Sequence, residues 1–292
     1  GLKSEKNIIL SEQIVLILLS FLFIPLLISI PYFSSIYNFS FINSYFESIS
    51  GFTSTGFSII KNIENIDQPL LLWRSSSQWM GGLFFLVATI GTLSSKQVKI
   101  KPLYLIPGSS YGGSFYNNFT SNFFKIFLIY FLSTIFIIFL FALFKIRLLD
   151  SFHLAFTIIS SGGFLPNNDL SNIIKNNFQI LLLSIAMLLP ILNFYLWIKI
   201  FTNQFKIRDH QEDLQLILII IFTTLLFYFL INPSEGIINT FFSVTSSLAT
   251  SGIGSYSSNT DTSLLFIILT IIGGSLLSAS SGLKYIRIYI LL

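Results

Sequence analysis

Three short runs in this chain combine small hydroxyl residues with glycine: TSTGF at 53–57, SSGGF at 160–164 and ATSGI at 249–253. None of their side chains is an acid, a base or a thiol nucleophile. Their chemistry lies in the backbone. Glycine reaches positive φ without steric cost and lets main-chain atoms approach a ligand closely. Carbonyl oxygens aimed at one axis can replace the hydration shell of a potassium ion. No charged residue stands in any of the three runs, which favours a carbonyl cage over an acidic ring. The candidate coordinating stretches are Thr53, Ser54, Thr55 and Gly56; Ser160, Ser161, Gly162 and Gly163; and Ala249, Thr250, Ser251 and Gly252.

Other chemistry is poorly served. The chain has no cysteine, hence no disulfide, thiolate metal site or thiol nucleophile. His153 and His210 fall on opposite sides of the expected membrane with no ligating partners beside them, so no metal site is expected apart from a cation at the loops. No Ser/His/Asp set or carboxylate pair points to an enzyme. The glycine-rich GSSYGGSFYNN at 108–118 lacks the lysine and strand of a phosphate loop and reads as a connection. No covalently bound cofactor is implied.

The elements that must position the runs follow from composition. Of 292 residues, 53% are hydrophobic and only 10% charged, and the mean hydropathy is +0.80. That excludes a soluble domain, which carries about 25% charged residues, and points to an all-α membrane protein in contact with the lipid bilayer. The net charge of +4 suits loop charge for orientation rather than a nucleic-acid surface. Six spans are expected, at 11–31, 70–94, 122–146, 177–201, 213–231 and 263–292, each near the ~20 residues that crossing requires. Between alternate pairs lie segments too short to cross: 41–52, 150–161 and 236–248. Each ends in one of the hydroxyl–glycine runs.

Counted from Gly56, Gly163 and Gly252, the register repeats. Asn43, Asp150 and Asn239 stand thirteen residues upstream, and Ser44, Ser151 and Thr240 stand twelve upstream. These polar pairs are expected to cap the short helices. Gly163 is preferred to Gly162 because it also aligns Asp150 and Phe164. The unit is span, short helix, loop, span, three times over. The expected division is 1–94, 122–202 and 213–292 for the units, with cytoplasmic connections at 95–121 and 203–212. The N-terminus, the 95–125 and 199–212 stretches and the C-terminal helix hold 11 of the 16 Lys and Arg. The positive-inside tendency therefore places both ends of the chain in the cytoplasm and the three loops on the outer side. Because irregular backbone at membrane depth must be buried in protein or line a water-filled cavity, the repetition implies a pore-loop architecture; alone, it does not name the ion. Within the sixth span, GGSLLSASSGLK at 273–284 interrupts the helix. It reads either as close helix packing by small residues or as an unwound segment beneath the loops.

Five blocks carry a resemblance: YFESISGFTSTG at 45–56, WRSSSQWMGG at 73–82, HLAFTIISSGGFLPNND at 153–169, the NF pair at 193–194 and GGSLLSASSGLKYIRI at 273–288. In this order they resemble the membrane subunits of the Trk/Ktr/HKT potassium transporter superfamily, most nearly its TrkH branch. The resemblance implies a filter glycine in each repeat, here Gly56, Gly163 and Gly252, and potassium as the transported ion. It implies an intramembrane gating loop made here from Gly273, Gly274, Ser275, Ser278, Ala279, Ser280, Ser281 and Gly282. Ser54, Ser161 and Ser251 stand where threonine is frequent in the family, and Leu277 and Ser281 where glycine is richer. It further implies a multi-pass protein of the inner (plasma) membrane, a homodimer, and a cytosolic nucleotide-binding regulatory subunit. Family members carry four repeats; this chain begins with GLKSEKN, stops inside an apolar helix and is expected to be a fragment lacking the fourth. The alternatives left open are a sodium-conducting or weakly selective relative and a non-conducting assembly or sensor protein on the same scaffold.

Overall fold

A computed structural model describes residues 9–35, 37–93, 115–201, 210–230, 236–254 and 263–291. In chain order the helices are α1 (Leu10–Ile28), α2 (Ile30–Phe33), α3 (Phe41–Phe52), α4 (Gln68–Leu93), α5 (Phe115–Leu143), α6 (Leu148–Ile159), α7 (Asn177–Ile191), α8 (Phe194–Phe201), α9 (Gln211–Leu230), α10 (Ile237–Leu248), α11 (Ser263–Ile272) and α12 (Tyr285–Leu291). Among the described residues there is no strand. Residues 94–114 and 202–209, most of the two expected cytoplasmic connections, lie outside the described residues. So do Lys3, Lys6, Lys96, Lys99, Lys101, Lys206 and Arg208.

The three short helices, α3, α6 and α10, are each twelve residues long. Their starts differ from the expected caps. The helices begin two residues before Asn43, Asp150 and Asn239, so the residues flanking them are Ser40, Arg147 and Gly236. Ser44, Ser151 and Thr240 do not shield orphan N–H groups. Their hydroxyls instead donate to carbonyls one turn back: Ser44 Oγ to Ser40 O at 3.0 Å, Ser151 Oγ to Arg147 O at 3.1 Å and Thr240 Oγ1 to Gly236 O at 3.1 Å. A hydroxyl inside the first turn finds that carbonyl more readily than an N–H already turned into the helix. The repeat register survives the correction, because the same bond recurs three times.

Among the described residues, three helical stretches are long and apolar enough to cross a membrane: Leu10–Phe33, Phe123–Leu143 and Gln211–Phe229. The other three expected spans depart for separate reasons. Helix α4 has 26 residues, but Arg74, Ser75, Ser77 and Gln78 make one side of it polar, and all four are buried. The span expected at 177–201 is not continuous. It breaks at Leu192–Asn193 into α7 and α8, just after Pro190. The sixth divides into α11 and α12 around a non-helical stretch at 273–284.

Each short helix is wedged between the helices that flank it. Helix α3 packs on α1 and α4, α6 on α5 and α7, and α10 on α9 and α11. Helix α6 also meets α4, and α10 also meets α7, so successive units are joined through their short helices. Two apolar cores result. A small one gathers Ile28, Tyr32, Phe52, Leu70 and Leu71 around the first loop, and a large one runs through the remaining helices. The outward faces of α1, α5 and α9 carry exposed Leu16, Phe136, Leu218 and Phe222. Large apolar residues exposed in rows on long helices suit contact with lipid, and the protein is a membrane protein.

Candidate functional site

The three hydroxyl–glycine runs share one backbone conformation. Ser54, Ser161 and Thr250 have φ of 53°, 57° and 55°; two residues later Gly56, Gly163 and Gly252 have φ of 83°, 88° and 64°. Of the two adjacent glycines in the second run, Gly163 is thus the one with left-handed geometry, in register with Gly56 and Gly252. Each loop opens as a helix C-cap in which the left-handed residue and its successor bond back into the last turn. Ser54 N–H donates to Gly51 O and Thr55 N–H to Ser50 O, both at 2.9 Å. The equivalents are Ser161 to Ile158 (2.9 Å) and Gly162 to Thr157 (2.8 Å), then Thr250 to Ser247 (3.0 Å) and Ser251 to Ser246 (3.1 Å). A left-handed non-glycine residue costs on the order of 1–2 kcal/mol. Three such residues at one register are held by these paired bonds.

The chain then runs on with its carbonyls uncommitted. Among the described residues, the carbonyls of 53–56, 161–163 and 250–252 accept no backbone hydrogen bond. The loops lie side by side in chain order. A Cβ on Gly56 would run into the carbonyl oxygen of Gly162, and one on Gly163 would run into that of Ser251. Around Gly252 nothing among the described residues lies within 4 Å of the Cβ position. Further glycines let the helices close in behind the loops: a Cβ on Gly81 would strike Phe52 O, and one on Gly82 would meet Ser160 and Tyr130.

Behind the first two loops sits a buried ion pair. Arg74 Nε lies 2.7 Å from Glu47 Oε1, and both side chains are almost wholly enclosed. Glu47 also accepts from Ser58 Oγ at 2.9 Å and from Ile59 N–H at 3.1 Å, so it grips the chain just after Gly56. Arg74 donates to Leu165 O at 3.1 Å and lies 3.6 Å from the centre of the Phe164 ring, just after Gly163. The pair thereby ties α3, α4 and the ends of two loops together. Beside it, His153 Nδ1 and Ser75 Oγ are 2.7 Å apart. Gln78, also buried, reaches the second loop: its Oε1 accepts from Thr157 Oγ1 at 2.7 Å and from Phe164 N–H at 3.1 Å.

The stretch 273–284 lies against both the third loop and the α7–α8 break. Ser281 N–H donates to Thr250 Oγ1 at 2.8 Å. Ser275 N–H donates to Ile191 O (2.9 Å), Ser280 N–H to Pro190 O (3.1 Å), and Phe194 N–H to Leu277 O (3.0 Å). Glu212 Oε1 accepts from Leu276 N–H at 3.0 Å, and Asp213 Oδ1 accepts from Asn193 N–H at 2.9 Å. Lys284 is buried against this stretch. It is 5% exposed, and its ammonium donates to Ser278 O at 3.1 Å, Ser278 Oγ at 2.9 Å and the carbonyl oxygen of Ser280. Gly273, Gly274, Ser275, Ser278 and Ala279 are all buried within this knot, whereas Ser281 and Gly282 are exposed. A cavity of about 270 Å³ lies between the first loop and this stretch, with Thr53, Ser54, Gly81, Phe85, Ala279 and Ser281 among its lining.

Thus the loop residues singled out from sequence come together, and residues of 273–284 meet them across the cavity. Four residues with clear positions were not singled out as part of this arrangement: Gln78, Glu212, Asp213 and Pro190. Only Pro190 carried a usable signal, as a helix breaker in an apolar run.

No family model matches the chain. It is 28% identical over 303 residues to an uncharacterized cation transporter of Methanocaldococcus jannaschii, covering 98% of this chain and 60% of that one. It is 29% identical over 290 residues to the Trk system potassium uptake protein TrkI of Halomonas elongata, covering 94% and 58%. The Escherichia coli potassium uptake protein TrkG is 25% identical over 267 residues, covering 87% and 55%. The crystal structure of the potassium transporter TrkH from Vibrio parahaemolyticus superposes with a TM-score of 0.81 at 21% identity, over 99% of this chain and 62% of that chain. The fold is therefore that of a helical membrane transporter. The chain spans between half and two thirds of the length of these relatives.

Proposed function

We propose that the chain is a member of the Trk family and forms part of a potassium uptake pathway, with the three loops as filter and residues 273–284 as an intramembrane gate. The observation that carries this reading is the threefold recurrence of one backbone. Left-handed geometry recurs at Ser54/Gly56, Ser161/Gly163 and Thr250/Gly252, with uncommitted carbonyls at each loop. Such carbonyls can stand in for a cation's hydration shell, and the short helices direct their negative dipole ends to the same place. The side of Gly252 left open by the described residues would admit a fourth loop of the same kind. Beneath the loops, the stretch 273–284 and the cavity it lines stand in the ion's path.

The finer assignments belong to the same proposal. The units are 1–94, 122–202 and 213–292. The loops face outward and both ends of the chain face the cytoplasm of a cell bounded by this inner membrane, as the basic residues suggest. The assembly is a homodimer with a cytosolic nucleotide-binding subunit, an inference resting on the family likeness alone.

The test is uptake of potassium by the complete gene product in cells deprived of their own potassium uptake, with sodium as competitor. Wild type is expected to restore growth at low potassium and to prefer potassium. Gly56→Ser is expected to lower the potassium-to-sodium ratio, because its φ of 83° strains an L residue and its Cβ meets the neighbouring loop. An unaltered ratio in Gly56→Ser with normal folding would remove Gly56 from the filter, and wild-type protein that carries sodium equally well would favour the weakly selective alternative.

A further inference from the structure

The double glycine of the second run has a cause that lies on another helix. One residue before the filter glycine, the first and third runs carry side chains, Thr55 and Ser251; the second carries Gly162. In the third loop the Ser251 hydroxyl is a small hub. It lies 3.0 Å from Ser246 Oγ, six residues before Gly252, and accepts from the N–H of Ile253, one residue after it, at 3.5 Å. Ser246 Oγ itself donates to Ile253 O at 2.6 Å. The second loop has a hydroxyl and an N–H at the same two register positions, Thr157 Oγ1 and Phe164 N–H. Both donate to Gln78 Oε1, at 2.7 Å and 3.1 Å. The backbone at Gly162 is not left-handed, so an L residue suits it, but the atoms nearest a Cβ there all belong to the Gln78 amide. Gln78 is 0% exposed.

We propose that Gln78, on α4, is a positioning and specificity-determining residue of the second filter loop, delivering from a neighbouring unit the acceptor oxygen that Ser251 gives to the equivalent N–H within the third. This rests on the filter reading above. The amide fixes where Phe164 N–H points, and with it the turn from Gly162 to Phe164 whose carbonyls face the ion. It also explains the glycine: a side chain at 162 and the Gln78 amide compete for one volume.

A compensation experiment in the complete protein separates this from generic packing. Gln78→Ala leaves Thr157 Oγ1 and Phe164 N–H buried without their acceptor. The potassium-to-sodium ratio should fall about fivefold, the equivalent of one net hydrogen bond, and the thermal midpoint should drop. Gly162→Ser alone should be at least as harmful, since its side chain meets the Gln78 amide. Combining Gln78→Ala with Gly162→Ser should recover most of both losses, because serine now supplies the oxygen in the manner of Ser251. Gln78→Ala with Gly162→Ala fills the space without an oxygen and should not recover selectivity. A double variant with serine that folds yet is no more selective than the worse single would overturn the proposal, as would equal recovery by alanine. Should wild-type protein show no preference among cations, the filter reading and the specificity role both fail; the thermal midpoints of the same four variants then still decide whether Gln78 holds the loop.

Discussion

Removing the Arg74 guanidinium tests how the first two loops are held. Arg74→Leu keeps comparable bulk on α4 but strands Glu47 in a site where both partners are enclosed. It also deletes the bond to Leu165 O and the contact over Phe164. Breaking a buried pair by removing one partner costs about 3–5 kcal/mol. Glu47 keeps two donors, Ser58 Oγ and Ile59 N–H, so the lower end, about 3 kcal/mol, applies. For a domain-sized folding unit that lowers the thermal midpoint by roughly 6–12 °C. The assay is thermal unfolding of the purified complete protein in detergent, for Arg74→Leu, Glu47→Gln and the double variant. Because Arg74→Leu with Glu47→Gln leaves no unpaired charge, its loss should fall short of the sum of the singles by about 1–3 kcal/mol. A shift below about 2 °C for Arg74→Leu, or strict additivity in the double, would refute the account of the pair as the clamp on both loops.

The remaining predictions follow from local geometry. Gly252→Ala should be milder than Gly163→Ala, although both glycines have positive φ, because a Cβ at 163 meets Ser251 O while one at 252 meets nothing among the described residues; comparing folded yield and uptake of the two variants checks this, and equal damage would count against the side-by-side order of the loops. Lys284→Met removes the donor to Ser278 and Ser280 at similar length, so residues 273–284 should loosen and, in the gate reading, uptake per folded molecule should rise. Unchanged uptake and unchanged protease resistance of that stretch would show that the ammonium does not hold it.

Legibility divided along sequence distance. The loops were readable because their order is local: the hydroxyl–glycine runs, the twelve-residue helices before them and the choice of Gly163 all depend on residues within about four helical turns. The interruption at 273–284 was readable because small residues in an apolar run are themselves conspicuous. What could not be read was geometry fixed by distant partners. Arg74 and Glu47 are 27 residues apart and Gln78 and Phe164 are 86 apart, and nothing local selects those pairings. Asn43, Asp150 and Asn239 mimic caps in type, but the helices start earlier, and the hydroxyls beside them serve a carbonyl. Lys284 carries the residue type of an interfacial anchor, and only the fold reveals oxygens around its ammonium. The α7–α8 break was masked by the apolar residues on either side of Pro190, which sustain a helical pattern across it.

That break and the interruption at 273–284 account for each other. Ending α7 at Ile191 leaves the Pro190 and Ile191 carbonyls facing away from any following helical turn, and restarting at Phe194 leaves its N–H without a partner in its own helix. The stretch 273–284 has the complementary surplus: Ser275 and Ser280 donate to the two carbonyls, and Leu277 accepts from Phe194. Glu212 and Asp213, at the start of α9, take the N–H groups of Leu276 and Asn193. In a bilayer interior each such group left unpaired costs several kcal/mol, so neither interruption is tolerable without the other. If 273–284 is the gate, it cannot swing free as an isolated flap. Its departure exposes Pro190 O, Ile191 O and Phe194 N–H at once, a cost that only water entering along the cavity below the loops, or concerted movement of α7 and α8, can offset. Opening the path for an ion and wetting it would then be one event.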